Sequence, residues 1–114
     1  MGLQISTRDS GGVTILEIQG RVTIGLSTDI LSNQLRDLMD AGVRKVLLDF
    51  AGVPQVDSSG ISVLVRSFVT LQRLGGSLKL LRPAGRVRQV LEMTRILQTI
   101  PAFDDEAQAV ASFK

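Results

Sequence analysis

The sequence predicts an α/β fold: one domain over residues 1–114, with a mixed sheet of four to five strands and about four helices packed on it. Three observations carry this. Val46-Leu47-Leu48-Asp49-Phe50 is a nearly continuous apolar run, as expected of a strand buried on both sides. Two short strand-like segments flank Ser10-Gly11-Gly12, whose glycines tolerate positive φ and so suit a hairpin. Segments with helical spacing then alternate with further strands, which is the pattern of an α/β domain. At 114 residues the chain is long enough to bury a core.

In order, Leu3 to Thr7 and Val13 to Gln19 are predicted to form the hairpin, closed by Gly20. A helix follows from about Ser27 to Ala41, with Ser27 or Thr28 as its cap, Asp29 in its first turn and Gly42 as its stop. Leu31, Leu35 and Leu38 form its apolar stripe, widened by Ile30 and Met39. After the buried strand, Ala51 to Asp57 reads as a loop. Ser58 or Ser59 opens a strongly apolar helix that runs to Leu74 and ends at Gly75-Gly76. Leu78 to Leu81 is a further strand. Pro83 opens a helix through about Met93, with Val87, Val90 and Leu91 inward. Leu97 to Ile100 is expected to be a short edge strand ended by Pro101. A last helix has Asp104-Asp105-Glu106 in its first turn and carries Ala107, Val110 and Ala111.

The helix after Ser58 carries more apolar surface than a surface helix needs. At about 100° per residue, with Ile61 at zero, Val65 lies near 40°, Val69 near 80°, Leu64 near 300° and Phe68 near 340°. Leu71, Leu74 and Val63 extend the arc to about 240°, against about 100° for an ordinary amphipathic stripe. Two readings stand. Either the helix is central and flanked by two others, or part of the arc near Val63, Ser67 and Thr70 stays outside and receives a partner.

Composition removes several functions. The chain has no cysteine and no histidine, so disulfides, thiol nucleophiles, Ser-His-Asp triads and the usual zinc sites are excluded. Tyr and Trp are absent and Phe numbers 4, which is thin for stacking on single-stranded nucleic acid. Lys and Arg total 13 against 11 acids. The densest basic group, Lys79, Arg82, Arg86, Arg88 and Arg95, reads as a solvated face rather than a phosphate-binding patch. No helix-turn-helix or dense basic helix points to DNA, and no direct nucleic-acid partner is expected. No apolar run approaches a membrane span and no leader pattern precedes the first strand, so cytoplasm without membrane insertion is the expectation.

The informative stretch is Asp49-Phe50-Ala51-Gly52-Val53-Pro54-Gln55-Val56-Asp57-Ser58-Ser59-Gly60. An acid and two hydroxyls at a helix start suit capping, where such a residue contributes about 1 kcal/mol. A nucleophilic serine does not fit: the turn is not G-x-S-x-G, and no histidine exists to activate it. A phosphate-binding loop does not fit either, because no G-x-x-x-x-G-K-[ST] occurs.

The pattern Asp49, Val53, Asp57-Ser58-Ser59-Gly60 resembles the STAS domain of bacterial anti-sigma factor antagonists, and the element order agrees over nearly the whole chain. Leu74-Gly75-Gly76-Ser77-Leu78 is similar to that family's turn into its later strand. The resemblance implies a regulated binding module rather than an enzyme. It implies Ser58 as the residue phosphorylated by a partner that is both a serine kinase and an anti-sigma factor. The unphosphorylated chain would hold that partner and free a sigma factor, and a serine phosphatase would reset it. No cofactor is implied for this chain, since ATP belongs to the kinase. The implied partner surface comprises Arg21, Thr23, Asp57, Ser59, Gly60, Ser62 and Val63. The chain departs from the family at Arg21-Val22-Thr23, where an acidic residue often follows the glycine, and at Ile61-Ser62, where Leu-Gly is usual. It also has Arg near Thr94-Arg95, where a small residue is common. The alternative is a STAS domain serving as a structural subunit of a transporter or signalling complex, with no phosphate switch.

Overall fold

The computed structural model describes residues 2–113. Strands β1 (Gln4–Ser10), β2 (Val13–Gln19), β3 (Lys45–Gly52), β4 (Ser77–Leu81) and β5 (Ala102–Phe103) form a single sheet in the order β1-β2-β3-β4-β5. The β1–β2 pair is antiparallel and the other three pairs are parallel. Helices α1 (Leu26–Asp40), α2 (Ser58–Arg73), α3 (Gly85–Met93) and α4 (Glu106–Ala111) complete it, with a 3₁₀ turn at Ile96–Gln98. The expected mixed sheet with four helices is what the chain adopts.

Alternation along the strands builds two cores. Leu16 and Ile18 of β2, Val46, Leu48 and Phe50 of β3, and Leu78 and Leu80 of β4 face α1, α2 and α3. The opposite parity, Val13, Ile15, Leu47 and Leu81, packs under Ala109 of α4. Leu47 and Leu48 therefore serve different layers. Beyond α4 this second face turns polar, and Gln4, Ser6, Glu17, Gln19, Asp49 and Arg82 line an open hollow of about 300 Å³.

Several boundaries differ from the sequence reading, each for a local reason. Strand β1 runs on to Ser10 because the ladder continues to Ser10↔Val13 and turns on Gly11 and Gly12, both at positive φ. Neither Ser27 nor Thr28 caps α1: Gly25 does, at φ 106, and Thr28 Oγ1 donates to its carbonyl at 3.0 Å. Pro83 does not open α3. The chain turns first at Arg82 (φ 53), the cap is Ala84, and the helix starts at Gly85. Leu97 to Ile100 is not a strand, because Arg95 enters the left-handed region (φ 60) and starts the 3₁₀ turn. The edge strand instead follows Pro101, whose carbonyl accepts from Leu80 N at 2.9 Å while its missing N–H costs the edge nothing. In α4 the buried residue is Ala109. Ala107 and Ala111 are exposed, and Val110 is half-buried. Asp104 lies before that helix, whose cap is Asp105.

Candidate functional site

Two chain segments converge at the start of α2. Val22 pairs with Val56 in an isolated parallel bridge. Val22 N donates to Gln55 O at 2.9 Å, and Asp57 N donates to Val22 O at 3.2 Å. The Arg21-Val22-Thr23 loop after β2 is thus fastened along the loop that leads into α2.

Asp57 holds the junction. Its backbone is extended (φ −103, ψ −173), so its side chain can turn back over the first helical turn. Oδ1 accepts from Ser59 N at 3.0 Å and from Gly60 N at 3.1 Å. Oδ2 accepts from Ile24 N at 2.8 Å. Partial burial pushes this carboxyl up, but the N–H groups of Ile24, Gly60 and Ser59 outweigh burial and hold it below its ordinary value of 3.8. The carboxylate is therefore charged at neutral pH and fully engaged in holding backbone.

Gly60 is required by close approach. A Cβ there would stand 2.6 Å from Val22 O and 2.8 Å from Val56 Cγ1. The helix can lie this near the Val22 loop only with hydrogen at position 60. Gly76 is a second such case, since a Cβ would meet Arg44 O at 2.2 Å where α2 turns into β4.

Ser58, the first residue of α2, is exposed, whereas Ser59 is half-buried and Gly60 buried. Arg21 is exposed, Thr23 half-buried and Ser62 exposed. Arg21 and Thr23 line a hollow of about 690 Å³ with Gly20, Ser27 and Pro54. Val63 is a correction: at 2% exposed it is packed in the core on the α1 side and shows only an edge to the hollows between α1 and α2, so it is no principal partner contact. Ser67 is buried likewise at 7%. Of the outer patch expected near Val63, Ser67 and Thr70, only Thr70 is exposed. The exposed apolar margin of α2 is the other end of its arc, Val65 (41%) and Val69 (38%), because α1 covers the Val63 side. Ile24 (79%) and Leu26 (71%) add two large apolar side chains in the segment tethered by Asp57. Sequence reasoning passed over these two, although apolar residues in a glycine-flanked loop were the available signal.

Asp49, the first residue of the pattern, lies elsewhere. It is buried on the second face of the sheet, accepting from Ala51 N at 3.0 Å and from Arg82 Nη1 at 3.2 Å. Its part is architectural. Among the described residues no group of three or more acids could hold a metal ion, and no helix is long and apolar enough to cross a membrane.

The model of the STAS domain family matches residues 4–109. A candidate anti-sigma factor antagonist of Bordetella bronchiseptica, BtrV, is 29% identical over 103 residues, covering 90% of this chain and 88% of its own. The crystal structure of a candidate anti-sigma factor antagonist from Thermotoga maritima superposes with a TM-score of 0.89 at 21% identity, over 96% of this chain and 93% of that one. The Bacillus cell fate determinant SpoIIAA in its phosphorylated form gives 0.73 at 14% identity, over 97% and 100%. With its sheet order, its helix layer and its Asp57-Ser58-Ser59-Gly60 turn accounted for, the chain belongs to the STAS domain family.

Proposed function

We propose that this chain is an anti-sigma factor antagonist whose binding is switched by phosphorylation of Ser58. The observation that carries the reading is the exposure of Ser58 at the head of α2, beside an Asp57 carboxylate committed to backbone. The name borne by the 29%-identical relative supports the same reading. The partner is a serine kinase that also acts as an anti-sigma factor; ATP sits on that partner, and a serine phosphatase reverses the modification. This chain contributes an acceptor hydroxyl and a surface, with no chemistry of its own.

A phosphoryl group would add a charge of about −1.5 to −2 at neutral pH. At the first residue of a 16-residue helix that charge meets the positive end of the helix dipole, so the fold tolerates it. The partner must dehydrate the same group on docking, so the complex does not tolerate it. The test uses purified protein, its cognate kinase and labelled ATP, with the modified residue located by mass spectrometry. Ser58→Ala abolishes transfer yet retains kinase binding, Ser58→Asp weakens binding without unfolding the chain, and Ser59→Ala still accepts phosphate. Label on Ser59 would shift the acceptor by one residue. Label on neither serine would favour the structural-subunit reading.

A further inference from the structure

The outward face of α2 carries more than an acceptor serine. At about 100° per residue, Ser58, Ser62, Val65 and Val69 fall in one strip about 60° wide. All four are exposed. Exposed valines bring a solvated helix nothing: they are poorer helix formers than the polar straight-chain residues and leave apolar area in water. The strip is rimmed by cations. Arg66 and Arg73 lie beside it on α2, a helix with no acidic residue between Ser58 and Arg73. Across the α1–α2 groove stands Arg36, and two adjoining hollows of about 450 and 230 Å³ both draw on Arg36, Val63 and Arg66.

These three arginines, like Arg21, Arg44, Arg86 and Arg95, differ from those that are ion-paired among the described residues. Arg8, Arg82 and Arg88 each face a carboxylate. Among the described residues, no ion pair involves Arg36, Arg66 or Arg73. Arg36 donates to Asn33 Oδ1 at 2.7 Å, and Arg66 Nε reaches Ser62 O at 3.4 Å. The sole acid lining the groove is Asp29.

We propose that the partner interface extends from Ser58 along this face and receives an acidic amphipathic helix of the partner protein. Its apolar side lies on Val65 and Val69, and its carboxylates meet Arg36, Arg66 and Arg73. The inference rests on the reading of Ser58 as the switch, and it gives the switch its sign. A phosphoryl group at one end of a strip that binds carboxylates repels the occupant.

The test is a titration of the ¹⁵N-labelled chain with a synthetic amphipathic helical peptide of Glu and Leu. The same peptide with Lys for Glu, and vesicles containing phosphatidylglycerol, serve as the competing probes. The acidic peptide is expected to shift the amides of Val65, Arg66 and Val69, and to lose affinity at least tenfold in an Arg66→Glu/Arg73→Glu variant and severalfold in Ser58→Asp. Both variants should keep the parent's unfolding midpoint, and Val69→Ser gives a check that leaves the charges alone. Equal binding of both peptides, no binding of the acidic one, shifts confined to another face, or vesicle binding stronger than peptide binding would each overturn the proposal. Since no kinase is present, the result stands apart from the Ser58 assay: peptide binding without Ser58 labelling refutes the switch and keeps the surface, and the converse refutes the surface alone.

Discussion

Gly60→Ala is the sharpest perturbation available, because two physical arguments give it opposite signs. Gly60 lies inside α2 and is not in the left-handed region. On helix propensity alone, alanine there should stabilise the protein by about 1 kcal/mol. The packing says otherwise. The added methyl would stand 2.6 Å from Val22 O, 2.8 Å from Val56 Cγ1 and 3.0 Å from Val22 Cγ1. The first of these is backbone, fixed in turn by the bond from Asp57 N at 3.2 Å, and cannot rotate away. Overpacking of this kind costs about 1–3 kcal/mol. Displacing Val22 O would also weaken its bond to Asp57, worth about 1 kcal/mol. The expected net is a loss of about 1–3 kcal/mol, read as a lower urea midpoint with an unchanged slope. A thermal midpoint lower by about 4 °C or more would accompany it. An unchanged or raised midpoint would refute the claim that this glycine is required by the approach of the Val22 loop.

Other outcomes follow from the same structure. Phe68, 8% exposed within the larger core, should cost about 3–5 kcal/mol when replaced by Ala; urea unfolding giving a change within half a kcal/mol would show the ring to be dispensable. Asp57 and Glu106 both sit below their ordinary values of 3.8 and 4.5, Asp57 through backbone N–H groups that outweigh its burial and Glu106 chiefly through its bond to Arg8. Groups depressed on folding contribute stability that is present above those values and lost as pH falls through the folded ones. Unfolding midpoints should therefore hold between pH 5 and 8, where a chain without histidine has no side chain of ordinary pKa to titrate, and drop below about pH 4. A midpoint that fell between pH 7 and 5 would contradict this. Asp57→Ala should destabilise by about 1–2 kcal/mol at pH 7 and flatten part of the acid limb. Lacking a P-loop, the chain alone should bind neither ATP nor GTP measurably, and a micromolar dissociation constant by calorimetry would overturn that.

What could be read from the sequence was whatever is decided locally. Asp57-Ser58 sits at a helix start because an extended Asp followed by free N–H groups is a complete motif within four residues, needing no distant partner. Strand β3 was equally legible, since five consecutive apolar or tightly held residues suit only a position covered on both faces. That run could not tell Leu47 from Leu48, because which parity faces α2 depends on the register with β2 and β4. The edge strand went to the wrong side of Pro101 for a related reason: a short apolar segment reads alike as strand or 3₁₀ turn, and Arg95 adopting φ 60 leaves no trace in composition. The arc on α2 shows the limit most clearly. Its width, about 240°, left open whether flanking helices covered the surplus or a margin stayed outside. Which margin stayed outside was set by α1, whose position follows from the turn at Gly25 and from Leu31 and Leu35 seating in the core. Once α1 takes the Val63 and Ser67 side, Val65 and Val69 are left facing water on the same strip as Ser58. The proposed acceptor is thus a local feature and the proposed surface around it a tertiary one. A substitution that shifts α1 could therefore alter partner recognition while leaving every residue of the Asp57-Ser58-Ser59-Gly60 turn in place.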